Sequence, residues 1–415
     1  MTLFSRFLTT SEAEEAVSDA QFIAAMLRFE AALARAEAAG GLIPQDVAQS
    51  IASTCKVALV DVPAIVRDSR RAGTVVIPLV KALKDVVRLS NPAAERWVHF
   101  GSTSQDAIDT AMALVTRDLL ALIDADLDRV VNALLAQAAE HAGAPMLART
   151  LLQPASVTTF GLKCAQWALP LSRSRARMAA LSSRALCVQL GGAVGTRQQL
   201  GKRADAIVRD VAEELGLAVP GATWHTQRDE WVALGCELGL VAGSLGKIAK
   251  DLSLMGQFEV GEVVEPGGGS SAMPHKRNPL GSMIALTAAQ RAPHRVAALL
   301  AAMPQEHERA LGGWQAESAE WGDLLQIVHG SARAMAAACT GLEVDTRRMS
   351  DNLDAVRRAV PAEVAAEWFD PAMARSLRVQ VDALIAHVRT RGAALRPAAS
   401  GQRRPVKDVL RRQHD

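Results

Sequence analysis

Residues 267–279 read Gly-Gly-Gly-Ser-Ser-Ala-Met-Pro-His-Lys-Arg-Asn-Pro, which sets a glycine run directly before two hydroxyls, a point cation and an amide donor. Each glycine carries about 0.5–1 kcal/mol of extra ordering cost, so Gly267, Gly268 and Gly269 suit backbone that moves or approaches a ligand closely. Ser270 and Ser271 supply hydroxyls, Lys276 a charge and Asn278 an amide, while Pro274 and Pro279 restrict the segment that carries them. A polar linker would account for the glycines and serines but not for Met-Pro-x-Lys-x-Asn directly after them. The segment reads as a catalytic loop that handles an anion.

Helices must position that loop. From Asp109 to His141 apolar residues recur at Met112, Val115, Leu119, Leu122, Leu127, Val130 and Leu134, in steps of three to five with no proline or glycine in the helical run, which predicts one long amphipathic helix. A helix is also predicted over Asp19 to Ala39, with Phe22, Met26, Phe29 and Leu33 on one side. Further helical stretches lie between Gly221 and Glu265 and between Gln305 and Val360, and the helix after Leu280 is expected to bend at Pro293. No alternating strand pattern of useful length is found. Helices of about 30 residues span roughly 45 Å, too long for a small monomeric domain to cover, so their apolar sides are expected to meet other subunits. The fold class read here is all-α: an elongated long-helix bundle.

Composition narrows the function. The chain has 415 residues and no tyrosine, so a tyrosine acid or base is excluded. A formal charge of +2 gives no reason to expect a nucleic-acid or membrane partner, and an acidic substrate must be held by local cations. Cys55, Cys164, Cys187, Cys236 and Cys339 are odd in number and widely spaced, which fits a reducing compartment. With no basic start and apolar core of a leader at the N-terminus, the expected location is the cytoplasm. His99, His225, His275 and His307 form no i, i+4 pair beside a carboxylate set, so no metal is expected, and no cofactor. The stretch 191–195 lacks the Gly-Lys-Ser/Thr ending of a phosphate loop and a βαβ setting. Trp314 and Trp321, seven apart, suit helix packing.

The loop resembles the signature of the fumarase/aspartase superfamily, Gly-Ser-Ser-x-Met-Pro-x-Lys-x-Asn-Pro, at every fixed position. Two further blocks of that family occur in order: His99-Phe100-Gly101-Ser102-Thr103-Ser104-Gln105-Asp106, then Arg149-Thr150-Leu151-Leu152-Gln153-Pro154-Ala155 followed by Gly191-Gly192-Ala193-Val194-Gly195-Thr196. The runs 224–229, 239–247 and 302–309 are similar to one branch, the bacterial 3-carboxy-cis,cis-muconate cycloisomerases. The resemblance covers roughly residues 1–345. It implies a homotetramer around shared long helices, with each active site built from three chains. It implies Ser270 as carbon base, with Lys276 and Asn278 holding a substrate carboxylate and Thr103 and Ser104 gripping another. A serine is a poor base at its ordinary acidity, so cations or amides must activate Ser270 once the loop closes. Arg149, Gln153, Arg228 and Arg309 would each pass for a salt-bridge residue in isolation; within these matched runs they are read as substrate contacts, together with His225 and His307.

Leu151 departs from the lyase pattern, where histidine handles the proton of a departing amine or hydroxyl. A carboxylate leaves as a stable anion and needs no acid, so leucine favours lactone closure of a small polycarboxylate. Two alternatives stay open: a lyase of the adenylosuccinate type and a non-catalytic bundle. The organisation read is residues 1–105 as a helical N-terminal domain, 106–345 as a central domain carrying loop 265–279, 346–395 as a reduced C-terminal helical domain around Phe369-Asp370-Pro371, and 396–415 as a mobile basic tail.

Overall fold

Ser18 marks where the first long helix begins: its hydroxyl accepts the Gln21 N–H at 3.3 Å, which satisfies one of the N–H groups that a helix start leaves unpaired. Helix α1 (Asp19–Ala39) follows, burying Met26, Phe29 and Leu33, with Phe22 half-buried. The computed structural model describes residues 3–395, so the expected basic tail over 396–415 lies outside the described residues. The apolar steps after Asp109 belong to α2 (Ser104–Glu140), which starts a turn earlier than the periodicity requires because Thr103 and Asp106 cap it.

Helices α3 (Phe160–Ala185), α4 (Asp229–Met255), α5 (Leu280–Ala301) and α6 (Gly313–Thr340) complete an all-α bundle with α2. Each packs on the next, and α6 closes the ring back onto α2, while α1 covers α2 from outside. Inside, Trp231 and Trp321 stack with ring centroids 4.1 Å apart, and Trp321 donates to Thr116 Oγ1 at 2.7 Å. Helix α4 is long and apolar enough to cross a membrane, yet it lies against α3, α5 and α6 as a core helix. It approaches α5 closely through Gly246, where a Cβ would stand 2.4 Å from that of Ala289.

Two expectations are corrected here. Residues 305–360 form two helices, α6 and a separate Thr346–Ala359 helix, because the chain breaks at Gly341 and pairs β3 (Val263–Val264) with β4 (Glu343–Val344). A β-hairpin was also not expected, but β1 (Pro145–Thr150) and β2 (Gln153–Thr159) pair antiparallel. Its tip is Leu151-Leu152, both left-handed at φ 50° and 64°, a turn that asparagine or glycine would have announced and leucine does not. A bulge between Ala148 and Arg149 further blurs the alternation. From below, Leu147 and Val157 of the hairpin pack on Leu353, Phe369 and Ala374, so the C-terminal segment buttresses it.

One buried charge site bears on stability. The Glu37 side chain is fully enclosed in α1, and neither carboxylate oxygen has a hydrogen-bond partner among the described residues. Burial, with a smaller push from Glu30, raises its pKa to about 9. A carboxyl raised in the folded state contributes stability in full below its unfolded value of 4.5 and loses it as pH rises toward 9. Melting temperatures measured from pH 5 to 9 should therefore fall more steeply for the native chain than for Glu37→Gln. Parallel slopes would reject a protonated Glu37.

Candidate functional site

The start of α2 is organised by two carboxylates three residues apart. Asp106 is fully buried and accepts N–H bonds from Thr103 (3.0 Å), Gly191 (2.9 Å) and Gly192 (2.9 Å), with His225 Nε2 2.7 Å from its other side. Gly191 is required there, since a Cβ would stand 2.6 Å from the His225 ring. Asp109 accepts from Gln105 Nε2 (3.0 Å) and Trp314 Nε1 (2.9 Å) and pairs with Arg228 at 2.9 Å.

Arg228, read above as a substrate contact, is corrected by its surroundings. Its side chain is 1% exposed, all its N–H groups are engaged by Asp109, Glu317 and the Trp224 carbonyl, and its guanidinium lies 4.5 Å over the Trp224 ring. No donor is left for a ligand, so Arg228 ties α4, α2 and α6 together. Burial pulls it toward neutrality and the two carboxylates outweigh that pull, while burial lifts the Glu317 carboxyl above its usual range. His225 is likewise 3% exposed and holds Asp106 instead of facing a groove.

Around this base sit the groups that remain available. Arg309 donates to Thr103 Oγ1 at 3.0 Å, its Nε has no partner among the described residues, and burial lowers its pKa against the pull of Asp106 and Asp109. A half-buried guanidinium without a bonded carboxylate is suited to an incoming one. Ser104, in the first turn of α2, is half-buried, and exposed His307 is left-handed at φ 49° with its carbonyl accepting from Thr226 Oγ1. His99, weighed in the sequence only as a metal ligand and set aside, is also left-handed, and its Nδ1 lies 2.6 Å from buried Glu30 Oε1. Burial depresses this imidazole, but the charge and hydrogen bond of Glu30 win and raise its pKa.

The glycine-rich loop lies at the opposite end of α4. Glu265 takes the Ser282 N–H at 3.1 Å and also the Ser282 hydroxyl, pinning both ends of the loop at the start of α5. Ser270 Oγ accepts N–H bonds from Met273 (3.1 Å) and Ala272 (3.4 Å), so negative charge on that oxygen meets donors already in place. Asn278 donates to the Gly268 carbonyl at 2.5 Å through its N–H and to Gly269 at 3.1 Å through its side chain. Gly268 stands at φ 77°, and a Cβ on it would fall 1.8 Å from the Asn278 oxygen. Lys276 is exposed, with no ion pair among the described residues.

Arg149 and Gln153, on the hairpin, share this end. Arg149 makes a two-pronged bond to fully buried Glu262 at 2.8 and 3.1 Å, with Asn352 on the same carboxylate, so it anchors β1 rather than presenting a free fork. Gln153 pairs across from Thr150 and is exposed beside Leu151, itself 96% exposed. Among the described residues no group of three or more His, Cys, Asp or Glu side chains could hold a metal.

The two ends are far apart in one chain. Arg228 precedes the first residue of α4, and the Glu262 N–H bonds Met255 at its last. Twenty-seven residues at 1.5 Å each put roughly 40 Å between them. Thr103, Ser104 and Arg309 thus belong with Arg228 to one end of α4, and the clamp of the loop that carries Ser270 and Lys276 belongs to the other.

A family model described as Lyase matches residues 7–293. The chain is 47% identical over 365 residues to a 3-carboxy-cis,cis-muconate cycloisomerase of Pseudomonas putida, covering 87% of this chain and 86% of that protein. It is 41% identical over 375 residues to a nitrosuccinate lyase of Streptomyces davaonensis, covering 88% of this chain and 79% of that one. The crystal structure of the 3-carboxy-cis,cis-muconate lactonizing enzyme from Pseudomonas putida superposes with a TM-score of 0.82 at 42% identity, over 94% of this chain and 89% of that one.

Removing the buried cation tests the geometry at the start of α2. Arg228→Met leaves Asp109 and Glu317 facing each other unneutralised, and breaking such a pair costs about 3–5 kcal/mol. Denaturant unfolding at fixed protein concentration should show that loss; a change under about 1 kcal/mol would return Arg228 to a ligand-facing role.

Proposed function

Since this chain belongs to the lyase family of the fumarase/aspartase superfamily, we propose that it is a cycloisomerase closing 3-carboxy-cis,cis-muconate, or a close analogue, to a lactone. One carboxylate oxygen of the substrate bonds to an alkene carbon of the same molecule. The electron pair of that double bond moves onto the adjacent carbon as an enolate shared with a neighbouring carboxylate. Ser270 delivers its hydroxyl proton to that carbon, and solvent returns a proton to the serine oxygen. No atom is lost, as an isomerisation requires.

The observation that carries this reading is the setting of Ser270, whose oxygen already accepts two backbone N–H bonds in a loop whose lysine has no ion pair among the described residues. Such donors stabilise the serine alkoxide without reorganisation during the step, and preorganised donors of this kind are usually the largest catalytic contribution. Lys276 and Asn278 neutralise the enolate, and Thr103, Ser104 and Arg309 hold a second carboxylate. Leu151 supports closure over amine elimination, because a carboxylate nucleophile or leaving group needs no acid at that position.

Because the two half-sites lie at opposite ends of α4, we further propose that the active unit is a homotetramer in which neighbouring copies bring them together. The bundle then buries its long helices against other copies, with the substrate as the only other partner.

Ser270→Ala should lower kcat on 3-carboxy-cis,cis-muconate by roughly 10²–10⁴-fold, the usual worth of a positioned proton donor, with assembly unchanged. Near-native kcat, read by ultraviolet absorbance, would remove Ser270 from the step. Turnover of nitrosuccinate or a succinyl amine without any of the muconate would favour the lyase reading. A second test mixes inactive Thr103→Ala/Ser104→Ala with inactive Ser270→Ala. Exchanged subunits should regain part of the activity, whereas no recovery after proven exchange would confine each site to one chain.

A further inference from the structure

Beside the hairpin tip lies a cavity of about 500 Å³, walled by Leu147, Leu151, Leu254 and Met255, into which Lys163 projects. Lys163 stands near the start of α3, with a half-buried side chain. Its nearest carboxylate oxygen, on Asp251, is 3.9 Å away, beyond hydrogen-bond length, and that same oxygen already bonds Trp167 Nε1 at 3.0 Å and the Lys247 ammonium. Around the cavity three cations, Lys163, Lys247 and Arg149, share two carboxylates, Asp251 and Glu262. Arg149 is bonded to Glu262 and Lys247 to Asp251, which leaves Lys163 with the longest ion pair of the three, its ammonium 5.6 Å from the Trp167 ring centroid. Burial presses its pKa down, and Lys247 and Arg149 press the same way against Asp251 and Glu262. An ammonium partly stripped of water, among aliphatic walls and without a bonded anion, gains most from a carboxylate arriving on a hydrocarbon frame.

We infer that this cavity receives one carboxylate of the polycarboxylate substrate, with Lys163 as the cation that binds it and the leucines as the wall for its carbon chain. The inference rests on the proposed lactonisation and adds a binding residue to it. The cavity sits at the same end of the chain as Ser270, since Arg149 on its rim is bonded to Glu262, three residues before the loop clamp at Glu265. It also gives Leu151 a task in substrate choice: an apolar wall in place of an acid.

The test uses Lys163→Met and Lys163→Gln, which remove the charge, and Lys163→Arg, which keeps it. Two quantities are read on the assembled protein: KM and kcat for 3-carboxy-cis,cis-muconate, and calorimetric Kd for propane-1,2,3-tricarboxylate, which cannot react. One lost charge-assisted hydrogen bond corresponds to roughly a tenfold to hundredfold change, so both neutral variants should raise KM and Kd by at least about tenfold. Lys163→Arg should stay within about threefold of the native protein. Native-like KM and Kd in both neutral variants, or an arginine variant as impaired as they are, would overturn the assignment. If the native protein does not turn over the muconate while the tricarboxylate Kd still depends on Lys163, the cavity stands and the lactonisation reading falls.

Discussion

Everything at the start of α2 depends on two carboxylates that have been taken out of water. Asp106 and Asp109 are almost wholly buried, and a buried carboxylate is tolerated only when nearly every lone pair has a partner. Those partners come from chain segments that share no local signal: glycine N–H groups at 191 and 192, His225, Trp314 and Arg228. Satisfying two anions thus fixes how four stretches of backbone meet. Thr103, Ser104 and Arg309 inherit their directions from that meeting, because the residue that caps α2 through Asp106 also receives the Arg309 bond.

The long helices and the glycine-rich loop were legible because both are local. Periodicity set α1 to its observed bounds, and glycines, prolines and polar payload marked the loop. What the sequence does not carry is the identity of a partner far along the chain. Arg228 and Asp109 are 119 residues apart, as are His225 and Asp106, so an arginine or histidine in a matched run reads equally as ligand contact or structural tie. Arg149 met the same fate through Glu262, 113 residues away. The family resemblance singles out runs of sequence and does not say which side chains within them face inward. Lys163 went unnoticed for the complementary reason: it sits in an ordinary amphipathic helix, and only the crowding of Asp251 by other donors sets it apart.

The hairpin escaped detection because its turn breaks the usual residue preference. Left-handed leucines at 151 and 152 cost energy that asparagine or glycine would not. Five non-glycine residues adopt positive φ among those described, and all five, His99, Leu151, Leu152, Arg197 and His307, fall in or beside the runs that the sequence marks as functional. Strain of this kind persists only where surrounding contacts hold it, as the Phe369 cluster does beneath the hairpin and Glu30 does behind His99.

The Glu265–Ser282 clamp sets how the loop is tied to the bundle. A segment tied at both ends behaves as a ring with a fixed seam: its middle can swing while the entropy of closing it has already been spent in folding. Helix α5 keeps its first turn independently of how Ser270 and Lys276 are placed, because the seam, and not the middle of the loop, caps that turn. The bundle is thereby mechanically insulated from the middle of the loop, and at the neck Gly268, left-handed at φ 77°, lets the chain close on Asn278 where any Cβ would collide.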